Sequence, residues 1–108
     1  MRDNFPTASS SHRRLIIYAF KAKDGRPDWE AFDQYLSTET HNELTDWQLD
    51  LREIEILDSL SLGNLIATNA RLARGGGRVN LLVKTNSAVE RLLHAAKLER
   101  LMPMTMVT

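Results

Sequence analysis

Asp58 and Ser59 are the adjacent pair in this 108-residue chain whose types and position could do chemistry. They stand between an apolar run at residues 54–57, IEIL, and a helical spacing of apolar residues that begins at Leu62. A strand ending there delivers both side chains to the mouth of a helix. At a helix start the first N–H groups have no intrahelical partner and the macrodipole is positive. A serine in that position can cap the helix or carry a phosphate at modest cost, and the two roles are compatible. Asp58 can orient the turn through bonds from backbone N–H groups to its side chain. Nothing in the sequence makes Ser59 a nucleophile, because His12, His41 and His94 are scattered without the spacing of a metal site or of a nucleophile–base pair. Catalytic residues, a metal and a cofactor are therefore not expected, and the chain is not read as an enzyme. Gly75, Gly76 and Gly77 have the composition of a phosphate loop but follow a helix rather than open one. They are expected to supply a left-handed C-cap and a turn instead.

The elements that must position this pair are legible on either side of it. Residues 15–20, LIIYAF, read as a buried strand, closed by a turn at Asp24-Gly25 and Pro27. Asp28 is a candidate N-cap for a helix whose buried face is Trp29, Phe32, Tyr35 and Leu36. The polar residues 37–42 leave the end of that helix open. The central strand runs through residues 48–57, and the next helix buries Leu62, Leu65, Ile66, Asn69, Leu72 and Ala73. Residues 78–83, RVNLLV, form another strand. Asn86 or Ser87 caps a last helix, with Ser87 and Glu90 in capping-box spacing and Val89, Leu92, Leu93 and Ala96 buried. Pro103 breaks the chain before a possible edge strand at residues 104–107. Strands alternating with helices predict an α/β layer with right-handed crossovers, in one domain. Residues 1–12 lack any apolar period and are expected to be a flexible N-terminal tail, leaving residues 13–108 as the domain.

Fourteen basic and fourteen acidic side chains balance, which gives no general attraction to nucleic acid or anionic membrane. Specific protein contacts are the expectation. Cysteine is absent, which excludes disulfides and thiolate chemistry and is compatible with a reducing cytosol. The apolar runs are too short for a membrane span, and the N-terminus lacks a signal-peptide core, so a cytoplasmic protein is expected.

Taken together, DLREIEILDSLSLGNL and RGGGRVNLLVKTNSAVERLLHAAKLERLMPM resemble the STAS domain, typified by bacterial anti-anti-sigma factors. Asp50-Leu51, Ile54, Ile56-Leu57, Asp58-Ser59 and Leu62-Gly63 fall at the spacing of the family's strand and its DSSGLG motif. The resemblance covers residues 47–104 and implies a single STAS-like domain, a small mixed sheet with helices packed mainly on one face. It implies that Ser59 is the serine phosphorylated by a partner that is both kinase and anti-sigma factor, with Asp58 as the supporting acid. Asp58, Ser59, Leu60, Ser61 and Leu62 then form the partner-binding surface, and a phosphatase reverses the modification. A phosphate there adds roughly −1.5 to −2 charges, which the helix start tolerates and an interface shaped to a neutral hydroxyl does not. Leu60 and Ser61 depart from the motif's second serine and its glycine, so Ser61 is a competing phosphate acceptor. Lys97 replaces a frequent glycine, at little cost if its backbone avoids left-handed geometry. The family's further acidic loop residue corresponds to Asp24 or Asp28. The alternative function is a STAS scaffold or accessory subunit of a signalling or transport complex without a phosphorylation cycle; a small nucleotide-binding domain is a third. Oligomeric state is left open.

Overall fold

Short β-branched and aromatic runs alternate with amphipathic helices, and they fold into parallel strands with helical crossovers. The computed structural model describes residues 13–39 and 44–108; the tail expected at residues 1–12, with His12 and His41, lies outside them. In chain order the elements are β1 (Arg14–Ala19), β2 (Ala22–Lys23), β3 (Arg26–Pro27), α1 (Trp29–Thr38) and β4 (Thr45–Asp50). Then come α2 (Ser59–Arg74), β5 (Arg78–Lys84), α3 (Ala88–Ala95), a 3-10 turn (Leu98–Arg100) and β6 (Met104–Val107). The main sheet has the order β1-β4-β5-β6 and every pair in it is parallel. Antiparallel pairing is confined to a separate hairpin, β2–β3.

The strand order follows the chain order, so right-handed crossovers place every connecting helix on the same face of the sheet. Burial follows this geometry with a period of two. Ile16, Tyr18, Trp47, Leu49, Val79, Leu81 and Val83 point into one core, where they meet Phe32 and Leu36 of α1, Leu65 and Leu72 of α2, and Val89 and Leu93 of α3. The opposite face carries no helix among the described residues, and Leu15 and Ile17 stand on it 57% and 58% exposed.

The caps confirm two of the expected helix starts. Asp28 accepts from the Ala31 N–H at 3.1 Å, and Ser87 accepts from the Glu90 N–H at 3.0 Å. The Glu90 carboxylate reaches back to the Asn86 N–H at 2.6 Å. The glycine turn behaves as expected too: Gly76 has φ +87°, and the Arg13 guanidinium bonds both its carbonyl and that of Thr45 at 3.1 Å.

Four expectations are corrected. The central strand starts at Thr45 and stops at Asp50, so the apolar run at residues 54–57 is loop rather than strand. Its Ile54 and Leu57 are buried as anchors, while Ile56 stays exposed. Helix α2 begins at Ser59, three residues before its apolar spacing does, and its N-cap is Asp58 rather than Ser59. On the expected buried faces Ile66, Ala73 and Ala96 are exposed, because each helix has only a single sheet face to pack against. Lys97 does adopt left-handed geometry, with φ 58° and ψ 34°. A side chain there crowds its own backbone, so Lys97→Gly is expected to raise stability by about 0.5–1 kcal/mol, net of glycine's greater unfolded-state entropy. The check is a rise in the urea midpoint with an unchanged slope.

Candidate functional site

In a parallel sheet the carboxyl ends of the strands share one edge, and the loops leaving that edge meet there. The loop after β1 is the β2–β3 hairpin, and the loop after β4 is residues 51–58, which leads into α2. Asp24 and Gly25 form the hairpin's two-residue turn, with φ 55° and 80°, as a turn of the primed hairpin class requires. The Gly25 carbonyl accepts from both the Glu55 and the Ile56 N–H, each at 2.9 Å, so the hairpin tip is fastened to the loop before α2.

Asp58 uses both carboxylate oxygens at this junction. Oδ1 accepts from the Ser61 N–H at 2.9 Å and so caps α2. Oδ2 lies 3.4 Å from the Arg26 Nε on β3. The backbone bond from Ser61, helped by Arg26, holds the Asp58 carboxyl below the usual carboxylate range. Asp58 therefore stays ionised at neutral pH and joins the helix start to the hairpin.

The motif residues divide into two sets. Ser61 is 3% exposed, and its hydroxyl accepts from the Trp29 Nε1–H at 3.1 Å, which ties α2 to α1. Leu62 is half-buried against the core. Ser59 lies in the first turn of α2 with its side chain exposed, and Leu60 beside it is 70% exposed. Ile56 adds a second exposed aliphatic group. Of the five expected contact residues, then, the structure presents Ser59 and Leu60 to solvent, leaves Asp58 half-buried as the cap, and turns Ser61 and Leu62 inward. Of the two acids left open, Asp28 is engaged as the α1 cap, while Asp24 stands at the hairpin tip beside the site.

Sequence reasoning missed Arg26, Gly25, Ile56 and Trp29 as parts of this site. The signal for the first two was present: an Asp-Gly pair with an extended dipeptide on each side marks a hairpin and not merely the end of a strand. His94 is an exposed residue of α3, beside Glu99 at 3.2 Å and Glu90 at 3.5 Å, far along the chain from this junction.

Just upstream, Asp50 closes β4. Its carboxylate accepts from the Arg52 N–H at 2.9 Å, from Nε at 3.0 Å and from Nη2 at 2.8 Å. The side-chain bonds from Arg52 outweigh burial and hold its carboxyl below the usual carboxylate range. A carboxyl depressed in the folded state stabilises it above the unfolded-state value, and that contribution is lost as pH falls through the folded value. Asp50→Asn is thus expected to flatten the acid limb of stability below about pH 4, followed by circular dichroism.

This parallel α/β domain sets a capped helix start against a hairpin tip, with the aliphatic side chains of Ile56 and Leu60 turned outward. The sequence model of the family described as Mlab, STAS domain matches residues 25–107, well over half of the chain, and the chain belongs to the STAS domain family. The match begins at Gly25, the second residue of the hairpin turn, and takes in α1 as well as the stretch from residue 47 that carries the resemblance. No curated protein and no solved structure matches the chain. Membership makes this a regulatory or protein-binding domain. Among the described residues, no helix is long and apolar enough to cross a membrane.

Proposed function

We propose that this chain is a partner-switching regulator, an anti-sigma factor antagonist or a relative of one, whose docking surface is the start of α2 with the adjoining hairpin tip. Its partner is a kinase-type anti-sigma factor that phosphorylates Ser59, and a phosphatase restores the hydroxyl. The observation that carries the reading is the contrast within one helical turn: Ser61 is buried and bonded to Trp29, whereas Ser59 and the 70% exposed Leu60 face solvent. Ser59 is the hydroxyl a kinase can reach. A phosphate on it sits at the positive end of α2, so the fold tolerates it, while a partner packed on Leu60 and Ile56 meets a new charge in an apolar contact. Asp58 supports the reaction by fixing the turn, and Asp24 is the acid at the surface.

The test is incubation with the cognate kinase and ATP, phosphate mapping by mass spectrometry, and titration of two variants against that partner. Ser59 is expected to be modified and Ser61 not. Ser59→Asp and Leu60→Asp are each expected to weaken binding by about tenfold or more while folding stability changes by less than about 1 kcal/mol. An unmodified Ser59 together with wild-type affinity for Ser59→Asp rules out the switch.

The second reading is a scaffold or accessory subunit of a signalling or transport complex with no phosphorylation cycle. Leu60 favours it, because a large aliphatic group stands exposed where the family motif has a serine. On that reading Leu60→Asp alone disrupts the complex and Ser59→Asp leaves it intact.

A further inference from the structure

Among the described residues, strand β1 is an edge of the main sheet and pairs only with β4. The Arg14 N–H donates to the Leu44 carbonyl at 2.8 Å and the Phe20 N–H to that of Asp50 at 3.0 Å. Backbone groups alternate in direction along a strand, so those of Ile16 and Tyr18 face β4 as well, and those of Leu15, Ile17 and Ala19 point off the edge. The same three residues carry their side chains on the sheet face that has no helix among the described residues, where Leu15 and Ile17 are 57% and 58% exposed. Edge strands are ordinarily blunted by a charge, a proline or a bulge, and β1 has none of these between Leu15 and Ala19.

We propose that β1 pairs antiparallel with β1 of a second copy of this chain about a two-fold axis at Ile16, joining two four-stranded sheets into one of eight strands. Side-chain facing and backbone hydrogen bonding both require the axis to lie on a residue, and the charges then select Ile16 over Ile17. Facing residues in an antiparallel pair must point their side chains to the same face, and a hydrogen-bonded pair needs outward backbone groups on both sides. Centring on Ile16 sets Leu15 opposite Ile17 of the second copy, and Ile17 opposite its Leu15, meeting both conditions. Four exposed aliphatic side chains then form one cluster on the bare face. The pairing also opposes no like charges, since Arg13 faces Ala19 and Arg14 faces Tyr18, whereas centring on Ile17 brings Arg13 against Lys21. As a sequence, MRDNFPTASSSH at residues 1–12 has a proline, three consecutive serines and no alternation of apolar residues. The β1 sequence LIIYA is a far better strand to add. The interface lies on a different element from the α2 start, so it is independent of the partner-docking surface.

The full chain is expected to show a dimer mass at high concentration in sedimentation or light scattering. Ile17→Lys changes an exposed side chain that appears twice in a symmetric interface, and is expected to raise the dimer Kd by about tenfold or more with unchanged circular dichroism. The natural chain has no cysteine, which permits a register test. Mixing Leu15→Cys chains with Ile17→Cys chains should give a disulfide-linked heterodimer under mild oxidation, because facing residues of a hydrogen-bonded pair lie about 5.5 Å apart, within disulfide reach. Either variant alone should link far less. A full-length chain that stays monomeric at every concentration, a dimer indifferent to Ile17→Lys, or a mixture that links no better than the separate variants overturns the proposal.

Discussion

Phe32→Ala is expected to lower folding stability by about 3–5 kcal/mol, the largest single loss foreseen for this domain. Phe32 is completely buried on the inner face of α1. Its ring centroid lies 4.9 Å from those of Tyr18 and Phe20 on the β1 side and 5.9 Å from that of Trp29 on its own helix. Tyr18 also packs against Phe20 at 5.1 Å and Tyr35 at 4.9 Å, so one aromatic cluster holds α1 to the sheet. Removing its centre leaves a cavity between a helix and an edge strand and forfeits the ring contacts as well as apolar burial. For a domain of this size the loss corresponds to a fall in Tm of roughly 15–30 °C, measurable by calorimetry. The effect reaches the candidate site, because Trp29 of the same cluster donates the bond that holds Ser61.

Gly77→Ala is expected to cost about 2–3 kcal/mol, and Gly63→Ala to do the reverse. A Cβ on Gly77 would lie 2.8 Å from the Leu72 carbonyl oxygen and 3.4 Å from that of Thr45. Both neighbours are backbone, and the Gly77 N–H already bonds the Leu72 carbonyl at 2.9 Å, so relief requires moving the end of α2 against β4. At Gly63, in the second turn of α2, a Cβ meets nothing within 4 Å. Alanine there removes the helix penalty of glycine, with an expected gain of up to about 1 kcal/mol. Urea unfolding of the two variants checks the pair, and equal midpoints would contradict it.

The fold was legible where local signals agreed with one another. The β1 and β5 runs are β-branched and bounded by breakers, α1 and α3 have side-chain caps, and Gly76 takes the left-handed angle expected of a glycine that ends a helix. The alternation of these elements was enough to give the α/β class. What failed did so for tertiary reasons. IEIL has strand composition, yet Ile54 and Leu57 are buried as loop anchors, since the chain must turn from β4 to α2 and the Gly25 carbonyl binds the loop halfway. At the site, the sequence placed Asp58 and Ser59 at a helix start but could not say which of them caps. Asp58 wins because its carboxylate meets the Ser61 N–H and Arg26 together. That Ser61 rather than Ser59 is the inward serine depends on Trp29, more than thirty residues away, and no local pattern carries such a contact. Lys97 is the converse: the glycine that the geometry favours is missing, and the lysine adopts the strained angle regardless.

The most direct test of the proposed docking surface is amide hydrogen exchange of the chain, alone and with the kinase-type anti-sigma factor proposed as its partner. Protection on binding is expected at the hairpin tip, residues 24–26, and along residues 55–60, and phosphorylation of Ser59 is expected to abolish it. Protection confined to other surfaces, with residues 55–60 exchanging as in the unbound chain, would contradict the account.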